Sequence, residues 1–376
     1  MQIKAQKNSL LLLTKITTIL FYTWIAETEG KVPALIVFGD STVDSGNNNV
    51  LPTALKANFP PYGRDFMGSG KPTGRFSNGR VATDFYSEMY GLRPFVPAYL
   101  DPEYNIGDFA VGVCFASAGT GIDPATAGVL YDPFIRRRRH LLCALLCNSV
   151  IPLLKQVELF EEYQARLAGY LGSEMAKQTI SEGVYAISIG TNDFIENYFA
   201  LATPRFLEFT PESYVEFLIS LSRDFIIQIY MLGARKIGFT GLSGMGCLPL
   251  ERNRNPMWGR PCIEEYNKVA REFNSKLQQM TDELCKALPD LQLRVAHLFD
   301  FFSNILENPS LYGFEDAQYG CCGTGTFELG YLCNEYTPFT CTDASKYVFW
   351  DAVHPTEKTS RIVAEFLMNT TFSKFK

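Results

Sequence analysis

Histidine is scarce in this chain: 376 residues contain only three, His140, His297 and His354. Any imidazole base, or any zinc site rich in histidine, must be drawn from these three. An excess of positive charge is also missing. Against 40 Asp+Glu stand 34 Lys+Arg, for a net charge of −6. Four of the positives sit in the single run Arg136 to Arg139, so the remainder is more acidic still. Nucleic-acid binding calls for a basic face, and none is available outside that run, which reads as a solvated loop. No Gly-x-Ser-x-Gly elbow and no Gly-x-x-x-x-Gly-Lys phosphate loop occurs, which removes two large enzyme classes. Beyond the N-terminus, no stretch approaches the ~20 apolar residues of a membrane span. No internal repeat and no linker rich in Pro, Gly or Ser divides the chain.

What is present is a large apolar fraction, 47%, with only 20% charged residues, enough for a sizeable core and too much for a disordered chain. At the N-terminus Lys4 and Lys7 precede an apolar run from Ser9 to Ala26, which ends in Glu27-Thr28-Glu29-Gly30. This pattern reads as a secretory signal peptide over residues 1–29, leaving a single domain over 30–376. Ten cysteines fit an oxidising compartment, and Asn369-Thr370-Thr371 is the one sequon with a middle residue other than proline. The expected location is therefore extracellular, with no stable membrane span.

Ala34 to Phe38, Val184 to Ile189 and Lys236 to Thr240 are continuous apolar runs, as is usual for strands buried on both faces of a parallel sheet. Helical spacing occupies Tyr214 to Leu232 and Glu264 to Leu288, and Leu291 to Val295 reads as a further strand. Strands alternating with helices imply right-handed βαβ units and a three-layer α/β/α sandwich. In such sheets ligands bind at the carboxyl ends of the strands. Ser41 follows the first strand, Asn192 a middle one, and Asp351 stands three residues before His354 near the C-terminus. A serine hydroxyl becomes a good nucleophile only when an imidazole removes its proton, and the imidazole needs a carboxylate to hold its tautomer. One turn brings Asp351 and His354 to the same side, with Pro355 fixing the loop. His297, inside an apolar stretch, reads as a packed or partly exposed core residue, and His140 lies beside the arginine run. His354 remains as the base.

Four blocks carry a family resemblance: Phe38-Gly39-Asp40-Ser41 with Asn47-Asn48-Asn49; Gly112 to Gly121; Gly190-Thr191-Asn192-Asp193; and Asp351-Ala352-Val353-His354-Pro355. With Pro72 to Arg80 and Cys321 to Gly325, they resemble the plant GDSL esterase/lipase family of the SGNH hydrolase superfamily from Lys31 to about Met368. The resemblance implies a flavodoxin-like fold and a serine carboxylic-ester hydrolase without cofactor or metal. Its substrates would be small-molecule, lipid or polysaccharide esters, and its setting the apoplast or cell wall as a monomer. By position, Ser41 would be the nucleophile, His354 the base and Asp351 the orienting carboxylate. The oxyanion hole would comprise the Ser41 N–H, an N–H from Ala118 or Gly119, and the Asn192 side-chain amide. Acyl transfer at the same site, and an inactive wall or carbohydrate binder, are the alternatives. The intact Ser, Asn, Asp and His set speaks against the second.

Tyr131 to Asn148 departs from the family pattern as an insert of about 18 residues and reads as a retained intron or gene-model error rather than a lineage-specific loop. Without its Cys143 and Cys147, eight cysteines remain. A bridge is expected between Cys247 and Cys262, and two more within Cys321, Cys322, Cys333 and Cys341, where three pairings are open. Cys114 and Cys285 are expected to be buried thiols.

Overall fold

A computed structural model of the chain describes residues 32–128, 150–200, 205–256 and 259–375. The leader and the Tyr131 to Asn148 insert, including His140, lie outside the described residues. In chain order the elements that frame the site are β1 (Leu35–Gly39), α1 (Ala82–Met89), β2 (Gly112–Cys114), α2 (Leu153–Leu171), α3 (Ser173–Glu182), β3 (Val184–Ser188), α4 (Pro211–Met231), β4 (Lys236–Thr240), α5 (Glu264–Ala287), β5 (Gln292–Ala296), α6 (Phe299–Glu307), β6 (Asp316–Gly320), β7 (Tyr347–Phe349) and α7 (Glu357–Thr370). The main sheet has the order β2-β1-β3-β4-β5, parallel throughout, and helices cover both faces. The expected three-layer α/β/α sandwich is thus present, with the 2-1-3-4-5 order of flavodoxin-like sheets. The expected strand boundaries shift by one residue or none, because apolar runs of this length mark doubly covered strands well.

The order reverses between β1 and β3, so the loops after those two strands diverge and leave a crevice at the carboxyl edge. Ser41 and Asn192 stand on the two sides of it. A second, two-stranded parallel sheet pairs β6 with β7 and delivers the segment that contains Asp351 and His354. Among the described residues no helix is long and apolar enough to cross a membrane.

Among the described residues three disulfides are closed, Cys247–Cys262, Cys321–Cys341 and Cys322–Cys333. The last two resolve the pairing left open by sequence. Cys114 is a buried thiol, as expected, but Cys285 is exposed. It falls on the outer face of α5, between Leu284, which is buried, and Lys286. His297 is likewise exposed, one residue beyond β5, where its Nε2 lies 3.1 Å from Gln278 Oε1.

Candidate active site

Gly39 closes β1 at φ 148°, and a Cβ there would lie 2.1 Å from the Ser188 carbonyl oxygen, so the turn into Asp40-Ser41 needs glycine. Buried Gln156 of α2 grips the same residue twice, its Oε1 accepting from the Gly39 N–H at 3.0 Å and its Nε2 donating to the Gly39 carbonyl at 2.8 Å. Ser41 is thereby presented at the sheet edge with only 7% of its surface exposed.

The pair of Asp351 and His354 is assembled locally. Asp351 Oδ1 accepts from the backbone N–H groups of Val353 at 2.9 Å and His354 at 2.7 Å, forming a tight Asx turn. His354 Nδ1 lies 2.9 Å from Oδ1 and 2.8 Å from Oδ2 of the same carboxylate. That contact makes Nδ1 the protonated nitrogen, so the lone pair is on Nε2, 2.8 Å from Ser41 Oγ. The Trp350 backbone N–H donates to the His354 carbonyl at 2.7 Å, and the Phe76 ring packs against the imidazole with ring centres 4.9 Å apart. Trp350 and Phe349, which precede the turn, are buried.

One member of this chain of hydrogen bonds was not visible in the sequence. Tyr62, fully buried, donates its Oη–H to Asp351 Oδ2 at 2.7 Å and accepts the Gly330 N–H at 2.8 Å. Burial and the Asp351 charge hold the Tyr62 phenol well above its ordinary range, so it stays a donor. No motif marks a tyrosine 289 residues from its partner. The loop signal of Pro60-Pro61 alone preceded it.

Asn47 and Asn48 fasten the loop after β1 to the loop after β2. Asn47 Nδ2 donates to the carbonyls of Cys114 and Ala116, and Asn48 Nδ2 to those of Leu55 and Ala118. Asp44 completes the clamp by accepting from Gly46, Asn47 and Ala118. The last bond corrects one expectation: the Ala118 N–H is committed to Asp44 Oδ2 at 3.1 Å and is not a free donor. Gly119, at φ 84°, keeps an N–H with no hydrogen-bond partner among the described residues, as does Ser41. Asn192 Nδ2 donates one hydrogen to the Thr120 carbonyl at 3.0 Å, leaving a second.

Asn192 leads into a π-helical turn, Asp193–Tyr198, an arrangement often found at functional sites. It brings Glu196 within electrostatic range of His354 and Asp40, and burial pushes Glu196 up to about 7. Asp40 rises to about 6 through burial, tempered by hydrogen bonds from Thr42. Among the described residues no group of three His, Cys, Asp or Glu side chains is placed to hold a metal ion.

A serine, an imidazole and a carboxylate in hydrogen-bonded series, at the carboxyl edge of a parallel sheet, define the class of α/β serine hydrolases. Residues 35–367 match the family model described as GDSL-like lipase/acylhydrolase, and the chain belongs to that family. It is 54% identical over 353 residues to a GDSL esterase/lipase of Arabidopsis thaliana, covering 94% of this chain and 95% of the relative. A second Arabidopsis thaliana GDSL esterase/lipase is 50% identical over 366 residues, covering 96% and 99%.

Proposed function

We propose that the protein is a secreted carboxylic-ester hydrolase acting through an acyl-Ser41 intermediate. The observation that carries the reading is the unbroken series Ser41 Oγ, His354 Nε2, His354 Nδ1 and Asp351, each step under 3 Å. In this mechanism Ser41 Oγ attacks the ester carbonyl carbon as His354 Nε2 takes its proton. The carbonyl oxygen, now negative, accepts from the Ser41 and Gly119 N–H groups and the second Asn192 amide hydrogen. The alcohol leaves with the proton from His354. Water, deprotonated by the same nitrogen, then releases the acid and restores Ser41.

Secretion is supported by the leader-like segment over 1–29 and by three disulfides, which persist in oxidising compartments. Asn369 is exposed on α7, where a glycan would meet solvent. The test is hydrolysis of p-nitrophenyl acetate and butyrate by the purified protein. Ser41→Ala and His354→Ala are each expected to lose at least about 10³ in kcat. Equal rates in wild type and Ser41→Ala would refute the proposal. Added alcohol acceptors that divert the acyl group from water would identify a transferase instead.

A further inference from the structure

Asn49 and the stretch Pro72 to Arg75 take no part in the hydrogen-bonded series at Ser41 and meet each other instead. Asn49 Nδ2 donates to the Thr73 carbonyl at 2.9 Å. Gly74, at φ 97°, passes so close that a Cβ there would lie 2.4 Å from Asn49 Oδ1, so glycine is required. Arg75 is buried, and Asp84 of α1 accepts from its Nε at 2.7 Å and its Nη2 at 2.8 Å. Asn49 Oδ1 is buried as well, with no hydrogen-bond partner among the described residues.

These groups back a cavity of about 350 Å³, within the usual range of small-ligand sites. It lies apart from the catalytic series, for its lining includes none of Ser41, Gly119, Asn192 or His354. One wall is aromatic. Phe66, Phe95 and Tyr104 follow one another with ring centres 5.9 Å and 6.3 Å apart, and the Arg75 guanidinium lies 5.0 Å from the centre of Phe66. Phe95 and Tyr104 are only half-buried, so each keeps accessible ring surface. Beside them stand Asp101 and exposed Asn58. The Asn58 amide and the Tyr104 hydroxyl have no hydrogen-bond partner among the described residues.

This lining selects by charge and polarity. Arg75 already has Asp84, and Lys71 at the rim has Glu103 at 3.6 Å, so no positive charge is spare for an anion. An alkyl chain would strip water from Asn58, Asp101 and the Tyr104 hydroxyl without replacing its hydrogen bonds. A neutral ring with an apolar face and hydroxyls around its edge suits both features, covering an aromatic face and bonding to the polar groups beside it. We infer that this cavity binds one neutral pyranose ring of a glycan. The ring stacks on Tyr104, and Asp101 and Asn58 take its hydroxyls. A hexose has about 12 heavy atoms, which at about 30 Å³ each, the loose packing of liquid water, match the space. The site uses no chemistry of Ser41 and stands whether or not the hydrolase reading holds.

The experiment titrates cellotriose, xylotriose and mannotriose into purified Ser41→Ala protein by calorimetry, which reads binding without turnover. Trigalacturonate and octanoate are the acidic and apolar controls. At least one neutral trisaccharide is expected to bind with a Kd of about 1 mM or tighter, and Tyr104→Ala in the same background should weaken it at least about fivefold. Asp101→Ala, in a surface turn, should weaken it at least about threefold and serves as the test if Tyr104→Ala does not fold. No saturable binding of any of the three up to about 20 mM would overturn the inference. So would tighter binding of trigalacturonate or octanoate. A neutral-sugar affinity untouched by either substitution would place the sugar elsewhere and overturn it too.

Discussion

Tyr62 Oη donates to Asp351 Oδ2 at 2.7 Å, the same oxygen that lies 2.8 Å from His354 Nδ1, so the phenol and the imidazole share one carboxylate oxygen. With the Val353 and His354 amides on Oδ1, both oxygens of the Asp351 carboxylate are engaged. The carboxylate is buried without being stranded, because its charge is spread over several donors.

Tyr62→Phe removes one charge-assisted bond and leaves the Gly330 N–H without its acceptor. A loss of about 2 kcal/mol in stability is expected. Because Asp351 then keeps fewer restraints, kcat should fall about 3- to 10-fold with little change in KM. Denaturant melts and steady-state kinetics on the same preparation check both. Unchanged kcat in a destabilised protein would make Tyr62 a packing residue only.

The Ala118 amide is engaged by Asp44, whereas the Gly119 amide has no hydrogen-bond partner among the described residues. Gly119 sits at φ 84°, and a Cβ there would come within 2.3 Å of Leu55 Cδ1. Gly119→Ala should therefore misplace the donor and cost about 10²-fold in kcat, whereas Ala118→Gly should cost far less. Single-turnover acylation rates distinguish the two.

Burial raises Asp40 to about 6, and Asp193 and Glu196 to about 7. The folded state therefore binds these protons more tightly than the unfolded chain does. Their contribution to stability is full below about pH 4 and is lost as pH rises through 6 to 7. The melting temperature at pH 5 should exceed that at pH 8 by several degrees, and Glu196→Gln should narrow the gap. The same variant removes a negative charge near His354, so the acidic limb of kcat/KM should move to lower pH. A limb shifted upward would contradict this placement of Glu196.

Gly330, which anchors Tyr62, lies in the loop closed by Cys322–Cys333. Replacing both cysteines by serine should lower kcat as well as stability. The Cys247→Ser, Cys262→Ser pair, whose bridge does not enclose Gly330, should affect mainly stability. Comparing kcat of the two double variants at a temperature where both are folded tests the link.

Ser41, Asn192 and the Asp351/His354 pair were legible because each signal is local: an apolar strand followed by a turn, or two polar residues one turn apart. Tyr62 and Gly330 were not, because their roles exist only once segments 268 residues apart meet. The choice between Ala118 and Gly119 turned on a carboxylate 74 residues earlier, which no spacing rule reaches. Strand β2 is only three residues long, and β6 is largely polar, so neither produced a periodic signal. Cys285 was misplaced because apolar content suggested burial, while exposure depends on which face of α5 meets the sheet.

All five strands of the main sheet end by Ala296, yet His354 reaches Ser41 from 313 residues downstream. During synthesis Ser41 emerges early, and the five strands are all made before His354 is added. The reactive pair is completed only when the final stretch of chain docks. A growing or C-terminally clipped chain would thus lack both the His354 contact and the cover that α7 and Phe372 give the sheet, so that, if Ser41 is the nucleophile, activity would mark a molecule whose last segment has docked.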